Sequence, residues 1–212
     1  FPNLIVMSPK DPDELRAMLR WALEAQRPVA IRYSRGGIVG EPLGKTPRIT
    51  LGRAEALHQG HDLAIVALGS LVYPALEVAT RLRRDGIEVA VINARFVKPL
   101  DRPLLRQLAT QTRALVPIAE AQVAGSFGSA VSEALDAMKI QPIPMCRIGL
   151  PDQFVEHGTR AELLALCQLD VEGLTHQITT WFAALKTTTD ALPASLHSGQ
   201  AGELRLLADP VS

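Results

Sequence analysis

The chain has 212 residues, 47% of them apolar, which suffices for one sizeable core or for one and a half small domains. Its 22 basic and 22 acidic side chains cancel and are mixed along the sequence, which excludes the one-signed surface that binds nucleic acid or an anionic membrane. No apolar run approaches the roughly 18 residues of a membrane span, and no signal-peptide pattern opens the chain.

In chain order, Phe1-Pro2 leads straight into the apolar run Leu4-Ile5-Val6-Met7, a short buried strand, so the chain is expected to be a piece of a longer protein. Asp11-Pro12-Asp13-Glu14 then reads as a helix start: a capping Asp, Pro at the first position, Glu at the third. Leu15, Met18, Leu19 and Leu23 follow at helical spacing, which carries the helix to about residue 25. The stretch 28–33 is the next strand, broken by Ser34-Arg35-Gly36-Gly37. This β-α-β unit is too small to bury its own faces and is expected to need partners from outside the chain. Residues 38–60 lack periodicity and carry scattered Pro and Gly, as a linker does, with room for a short strand near 49–57.

From Asp62 onward the pattern alternates regularly. Strands are expected at 63–68, 87–92, 114–118 and 143–148, with helices at 72–84, 102–111 and 127–139 between them. Gly86 stops the first of these helices, Asp101 caps the second, and Val131, Ala134, Leu135 and Met138 give the third its apolar stripe. The strands are continuous apolar runs, as expected where both sheet faces are covered, so the segment predicts a complete parallel α/β domain with right-handed crossovers. Thr159-Arg160-Ala161-Glu162 is a capping box, and Asp170 starts a last helix with Leu174, Ile178, Trp181, Phe182 and Leu185 on one side. After Lys186 no apolar face remains and a flexible tail is expected.

No self-contained active site is evident. Gly125-Ser126-Phe127-Gly128 opens a helix, which is more simply a turn needing small residues than an anion site. Neither GxGxxG nor GxxxxGK[ST] occurs. His58 and His61 look like a surface turn rather than metal ligands, and His157 like part of a hydrogen-bonded turn. Cys146 and Cys167, far apart in apolar surroundings, are expected as buried free thiols. Glu120 ends a strand where α/β ligands usually bind, though a solvated or capping acid is the plainer reading. Arg35 is the leading candidate: a guanidinium at a strand end, next to glycines that let the backbone approach the same anion. From these residues alone, a phosphate grip and an ordinary pairing with an acid remain equally open.

Five stretches together resemble the 1-deoxy-D-xylulose-5-phosphate synthase family. They are Met7-Ser8-Pro9-Lys10-Asp11 with Glu14-Leu15-Arg16, Ala30-Ile31-Arg32-Tyr33-Ser34-Arg35-Gly36, and Ala67-Leu68-Gly69-Ser70. The most specific are Asn93-Ala94-Arg95-Phe96-Val97-Lys98-Pro99-Leu100-Asp101 and Gly149-Leu150-Pro151-Asp152-Gln153-Phe154-Val155-Glu156-His157-Gly158. The likeness runs in order from residue 1 to about 185.

The resemblance implies an α/β chain with four parts: the end of a pyrimidine-binding domain at 1–40, a linker at 41–61, a transketolase C-terminal-type domain at 62–185 and a flexible tail at 186–212. It implies a homodimeric, cytoplasmic enzyme (plastidial if the source is a plant or alga) that condenses pyruvate with D-glyceraldehyde 3-phosphate. Carbon dioxide is released, and the product serves isoprenoid precursor and thiamine synthesis. Thiamine diphosphate with magnesium would supply the carbanion chemistry. The family's residues for that cofactor would lie before Phe1, leaving no catalytic, cofactor or metal residue in this chain, and the chain alone is expected to be inactive. Arg35 matches the family's phosphate-holding arginine; Ser34 and Gly37 depart from its usual neighbours, as do Ala119 and Ala121 beside Glu120. A noncatalytic interaction or regulatory module is the rival expectation. A 2-oxo acid dehydrogenase beta subunit is a third, disfavoured by the RFVKPLD and GLPD segments.

Overall fold

The computed structural model describes residues 1–34, 44 and 46–190. Strand β1 (Ile5–Met7) is followed by helix α1 (Pro12–Glu24) and by strand β2 (Val29–Ile31), which pairs parallel to β1. Asp11 caps α1 as its sequence promises, accepting from the Glu14 N–H at 2.7 Å. The buried face of α1 differs from the apolar stripe that spacing predicts. Leu19 and Leu23 are exposed, whereas Ala17, Met18 and the charged Asp13 and Glu14 are buried. The reason is electrostatic: Glu14 turns inward onto the nearby Lys10 and onto Arg95, which a distant segment supplies.

That segment also corrects the expectation that the first β-α-β unit must find its partners outside the chain. Strand β5 (Val89–Asn93) ends in a tight turn, and the chain then forms β6 (Phe96–Lys98), which pairs antiparallel with β1. The first sheet is therefore β2-β1-β6, and its third strand comes from the NARFVKPLD segment. Arg95 makes the turn at φ +59°, a left-handed conformation rare outside glycine, with Asn93 Oδ1 accepting its N–H at 3.3 Å. Phe96 seals the small core of Ile5, Met7, Ala17, Met18 and Ile49, meeting Trp21 edge-on at 6.4 Å between ring centroids.

The larger sheet runs β3-β5-β4-β7-β8, with β3 at Glu55–His58, β4 at Leu63–Ala67, β7 at Leu115–Gln122 and β8 at Ile148–Leu150. Its three pairings from β5 to β8 are parallel, but β3 joins β5 antiparallel, so the sheet is mixed rather than wholly parallel. Residues 55–58, at the end of the stretch 38–60 in which a linker with a short strand near 49–57 is expected, are thus an edge strand. The last strand is shorter than expected: before Ile148 the chain touches β7 only through the Leu115 and Met145 bridge, because Pro142 and Pro144 cannot donate to a ladder.

Helices α2 (Val72–Arg84) and α6 (Val171–Asp190) cover one face of this sheet, α3 (Arg102–Gln111) and α4 (Phe127–Ala137) the other. Both faces of the central strands are consequently dry, and all five residues of β4 and of β5 are buried. Helix α5 (Arg160–Leu166) carries the capping box of Thr159 and Glu162. Helix α6 continues to Asp190, beyond the expected end at Lys186; residues 191–212 lie outside the described residues.

Candidate functional site

Two polar clusters stand out from this framework. The first is a buried seam between the sheets. Glu55 and Asn93 are directly opposite each other on β3 and β5, so their side chains share one side of the ladder. Glu14, with no exposed surface, approaches them from α1 and accepts from Asn93 Nδ2 at 2.9 Å and from Arg95 Nε at 2.7 Å. Arg95 reaches Glu55 at 3.0 Å, and Lys10 Nζ lies 3.3 Å from Glu14 and 3.1 Å from Glu55.

Burial works against the charge on Glu55, yet Arg95 and Lys10 outweigh it and hold its carboxyl below the usual value. Burial likewise disfavours the Lys10 ammonium, but Glu14, Glu55 and Asp11 prevail and raise its pKa. At the margin, Tyr73 donates to Asp11 Oδ2 at 2.9 Å; burial first and this bond second push its pKa up to about 12. The seam explains why the NARFVKPLD segment carries Asn and Arg at those positions: they fasten α1 to the larger sheet.

The second cluster sits at the carboxyl end of β7, where ligands of open α/β sheets bind. Pairing between β7 and β8 slips here, Ile118 facing Ile148 but Gln122 facing Leu150, so β7 bulges across residues 119–121. Glu120 lies in that bulge. Its carboxylate accepts from Ser70 Oγ at 2.7 Å and from Arg160 Nη2 at 2.7 Å, while its carbonyl accepts from the Arg32 guanidinium. Burial opposes the Glu120 charge, but the Ser70 and Arg160 bonds and the charges of Arg160 and Arg32 win, and its pKa falls below the usual carboxylate value. Beside it opens a cleft of about 510 Å³, with Glu120 and Arg160 on the polar side and Leu150, Val155, Leu163 and Leu164 opposite. The GLPDQFVEHG segment forms β8's end and this rim, and Gly149 is required there: a Cβ would meet the Ala121 carbonyl oxygen at 2.4 Å.

Arg35, the leading candidate from sequence, lies outside the described residues, with Gly36, Gly37 and Gly40. Its neighbours Arg32, Tyr33 and Ser34 leave β2 beside the Glu120 cluster. Glu120 itself is more than the solvated acid that sequence favours, and its partners Ser70 and Arg160, legible only as parts of the Ala67–Ser70 stretch and of a helix start, carry no local signal of that role. His58 is not on a turn but in β3, where Nδ1 meets the Val89 carbonyl at 2.8 Å and Nε2 meets Arg83. His61 and His157 are exposed. Ser126 begins α4 without a side-chain cap bond. Cys146 and Cys167 are free thiols, half-buried rather than buried, and burial raises the Cys146 pKa. Among the described residues no three His, Cys, Asp or Glu side chains are grouped to hold a metal ion, and no helix is long and apolar enough to cross a membrane.

Comparison with known proteins gives this arrangement its class. Residues 52–174 match the family described as the transketolase C-terminal domain, and the chain belongs to that family. Within it, the chain is a relative of the 1-deoxy-D-xylulose-5-phosphate synthases. It is 48% identical over 185 residues to the one from Thermomicrobium roseum, covering 86% of this chain and 29% of that protein. With the first such synthase of Geobacter metallireducens it is 44% identical over 181 residues, covering 85% and 29%. The chain therefore spans about 29% of the length of these curated relatives. Among solved structures, the one described as a split gene transketolase, an inactive beta4 tetramer, superposes with a TM-score of 0.79 at 36% identity, covering 86% of this chain and 59% of that one. A transketolase variant from Pichia stipitis superposes at 0.66 with 19% identity, covering 86% and 25%, and shares the fold.

Proposed function

We propose that the chain is the C-terminal part of a 1-deoxy-D-xylulose-5-phosphate synthase. The full-length, homodimeric cytoplasmic enzyme joins pyruvate to D-glyceraldehyde 3-phosphate and releases carbon dioxide. Arg35 grips the aldehyde's phosphate through charge-assisted hydrogen bonds. The observation that carries this reading is the 48% identity over 185 residues, which includes both sheet-joining and cleft-forming segments. In domain terms, residues 1–40 end a pyrimidine-binding domain, 41–61 link it onward and 62–185 form the C-terminal domain, which the match at 52–174 overlaps for most of its length.

Thiamine diphosphate with magnesium supplies the acyl carbanion in such an enzyme. The described residues do not fit that group. The seam carboxylates Asp11, Glu14 and Glu55 are already committed to Lys10, Arg95 and Asn93. The cofactor's ligands belong to other parts of the full-length protein. Calorimetric titration of the 212-residue chain with thiamine diphosphate and magnesium is expected to give no heat of binding; a micromolar isotherm overturns the assignment.

The site itself is tested in the full-length enzyme. Arg35→Ala is expected to raise KM for D-glyceraldehyde 3-phosphate by about tenfold or more, the cost of one charged hydrogen bond, with KM for pyruvate little changed. Equal effects on both substrates remove the phosphate-grip role. A second reading, a separately encoded noncatalytic subunit, is supported by the likeness to the inactive beta4 assembly of a split gene transketolase. Sequencing the gene upstream of Phe1 separates the two: a continuous reading frame encoding a diphosphate-binding domain supports the enzyme, an immediate start codon the subunit.

A further inference from the structure

The departure of the chain from β2 is held at Arg32 by three bonds. Its N–H donates to the Met7 carbonyl at 2.9 Å, its carbonyl accepts from Ser8 Oγ at 2.8 Å, and its guanidinium donates to the Glu120 carbonyl. Ser8 is walled in by Gly69 at φ +62°, where a Cβ would lie 2.4 Å from Ser8 Oγ. The third bond is the unusual one, because it crosses from the small sheet to the larger one and ends on a bulge. A bulge has fewer ladder bonds to fix it. Here the fixing is done by the Glu120 side chain, which Ser70 grasps from the 3-10 turn Gly69–Leu71 and Arg160 from the first residue of α5.

We propose that Glu120 and Arg160 are positioning residues for the sugar phosphate. The clamped carboxylate sets the bulged end of β7, whose carbonyl and negative charge hold Arg32 and thereby fix where the chain starts towards Arg35. The inference rests on the reading of the chain as part of the synthase and gives a role to residues that reading leaves unused. It also accounts for an otherwise unconnected fact: Arg160, two residues past the GLPDQFVEHG segment and far along the chain from the arginine loop, meets on Glu120 the same residue that holds Arg32.

The test uses the full-length enzyme with Glu120→Gln and Arg160→Gln. Each is expected to raise KM for D-glyceraldehyde 3-phosphate about tenfold, while KM for pyruvate and kcat stay within about twofold. Arg160→Lys, which restores the charge, recovers most of the loss. Hydrogen exchange gives a readout independent of turnover: the Arg32 amide, bonded to the Met7 carbonyl, exchanges faster in both Gln variants than in wild type. Should Glu120→Gln fail to fold, Ser70→Ala removes one of the two donors and shifts both readouts the same way by less. Unchanged KM with unchanged exchange overturns the proposal, as does an equal rise for both substrates. A wild-type enzyme without carboligase activity removes the synthase reading and the substrate named here, and unchanged Arg32 exchange in the variants then removes the relay as well.

Discussion

The seam between the sheets and the end of β7 are both built from opposite charges, yet they are finished differently. In the seam, Glu14 and Asn93 have no exposed surface, Arg95 has 7%, and each charge meets an opposite one at 2.7–3.3 Å. At β7's end, Glu120 and Arg160 are partly open to a cleft, and Arg160 Nε is buried without a partner among the described residues. The seam's charges are all paired, and Glu55, 32% exposed at its edge, is held by Arg95 and Lys10, so the network's work is to lock α1 against β5 and β6. A half-open network can pass strain or charge to whatever binds beside it.

The comparison breaks most visibly at Glu14. Glu14→Ala removes the one fully buried carboxylate of the seam and leaves Arg95 and Lys10 to share Glu55, and chemical denaturation should show a loss of about 3 kcal/mol. Replacing Glu14, Asn93 and Arg95 together by apolar residues of similar volume should cost far less, because no buried charge is then left unanswered. If the single change proves as mild as the triple one, the seam is not a lock.

Next in size is Gly149→Ala, which presses a methyl against the Ala121 carbonyl on the bulge. A loss of about 1–3 kcal/mol is expected in chemical denaturation. Unaltered stability would show that the two strands separate freely there.

The pH dependence distinguishes the regions by sign. Glu55 and Glu120 have folded pKa values below the ordinary 4.5, so their stabilisation is complete above that pH and is lost as pH falls through the depressed values. Lys10 lies above its ordinary 10.5 and Tyr73 is raised from 10.0 to about 12; their stabilisation is complete below the ordinary values and is lost as pH rises. Both regions thus contribute to the acid limb, whereas the seam and its margin alone contribute to the alkaline one. Glu120→Gln should shorten the acid limb and leave the alkaline limb intact, measured as unfolding midpoint against pH.

The smallest effect belongs to the exposed Glu77–Arg81 pair on α2, where Glu77→Ala should cost only about 0.3–0.5 kcal/mol. That variant sets the baseline against which a seam mutation counts as large.

What was legible in the sequence depended on range. Helices α2 and α3 match their expected bounds because periodicity, the Asp101 cap and the Gly86 stop act within a turn or two of the chain. The Asp11 cap and the Thr159 capping box were likewise readable, each bonded to a residue three positions on. The family and its motifs were legible too, but not what those motifs do. Asn93 and Arg95 acquire their role only when Glu14 arrives from α1, and Glu120 only when Ser70, Arg160 and Arg32 converge on it.

Sequence alone therefore determined the α/β class, most helices and the family likeness, since each is encoded in neighbouring residues. Tertiary structure decided that Phe96–Lys98 leaves the larger sheet for the smaller and that Glu55–His58 closes an edge. It also decided that a helix buries a glutamate instead of a leucine. A strand's home is set by which edge offers free N–H and C=O groups, and a buried charge by which counter-charge is waiting; both are properties of residues far apart in the chain.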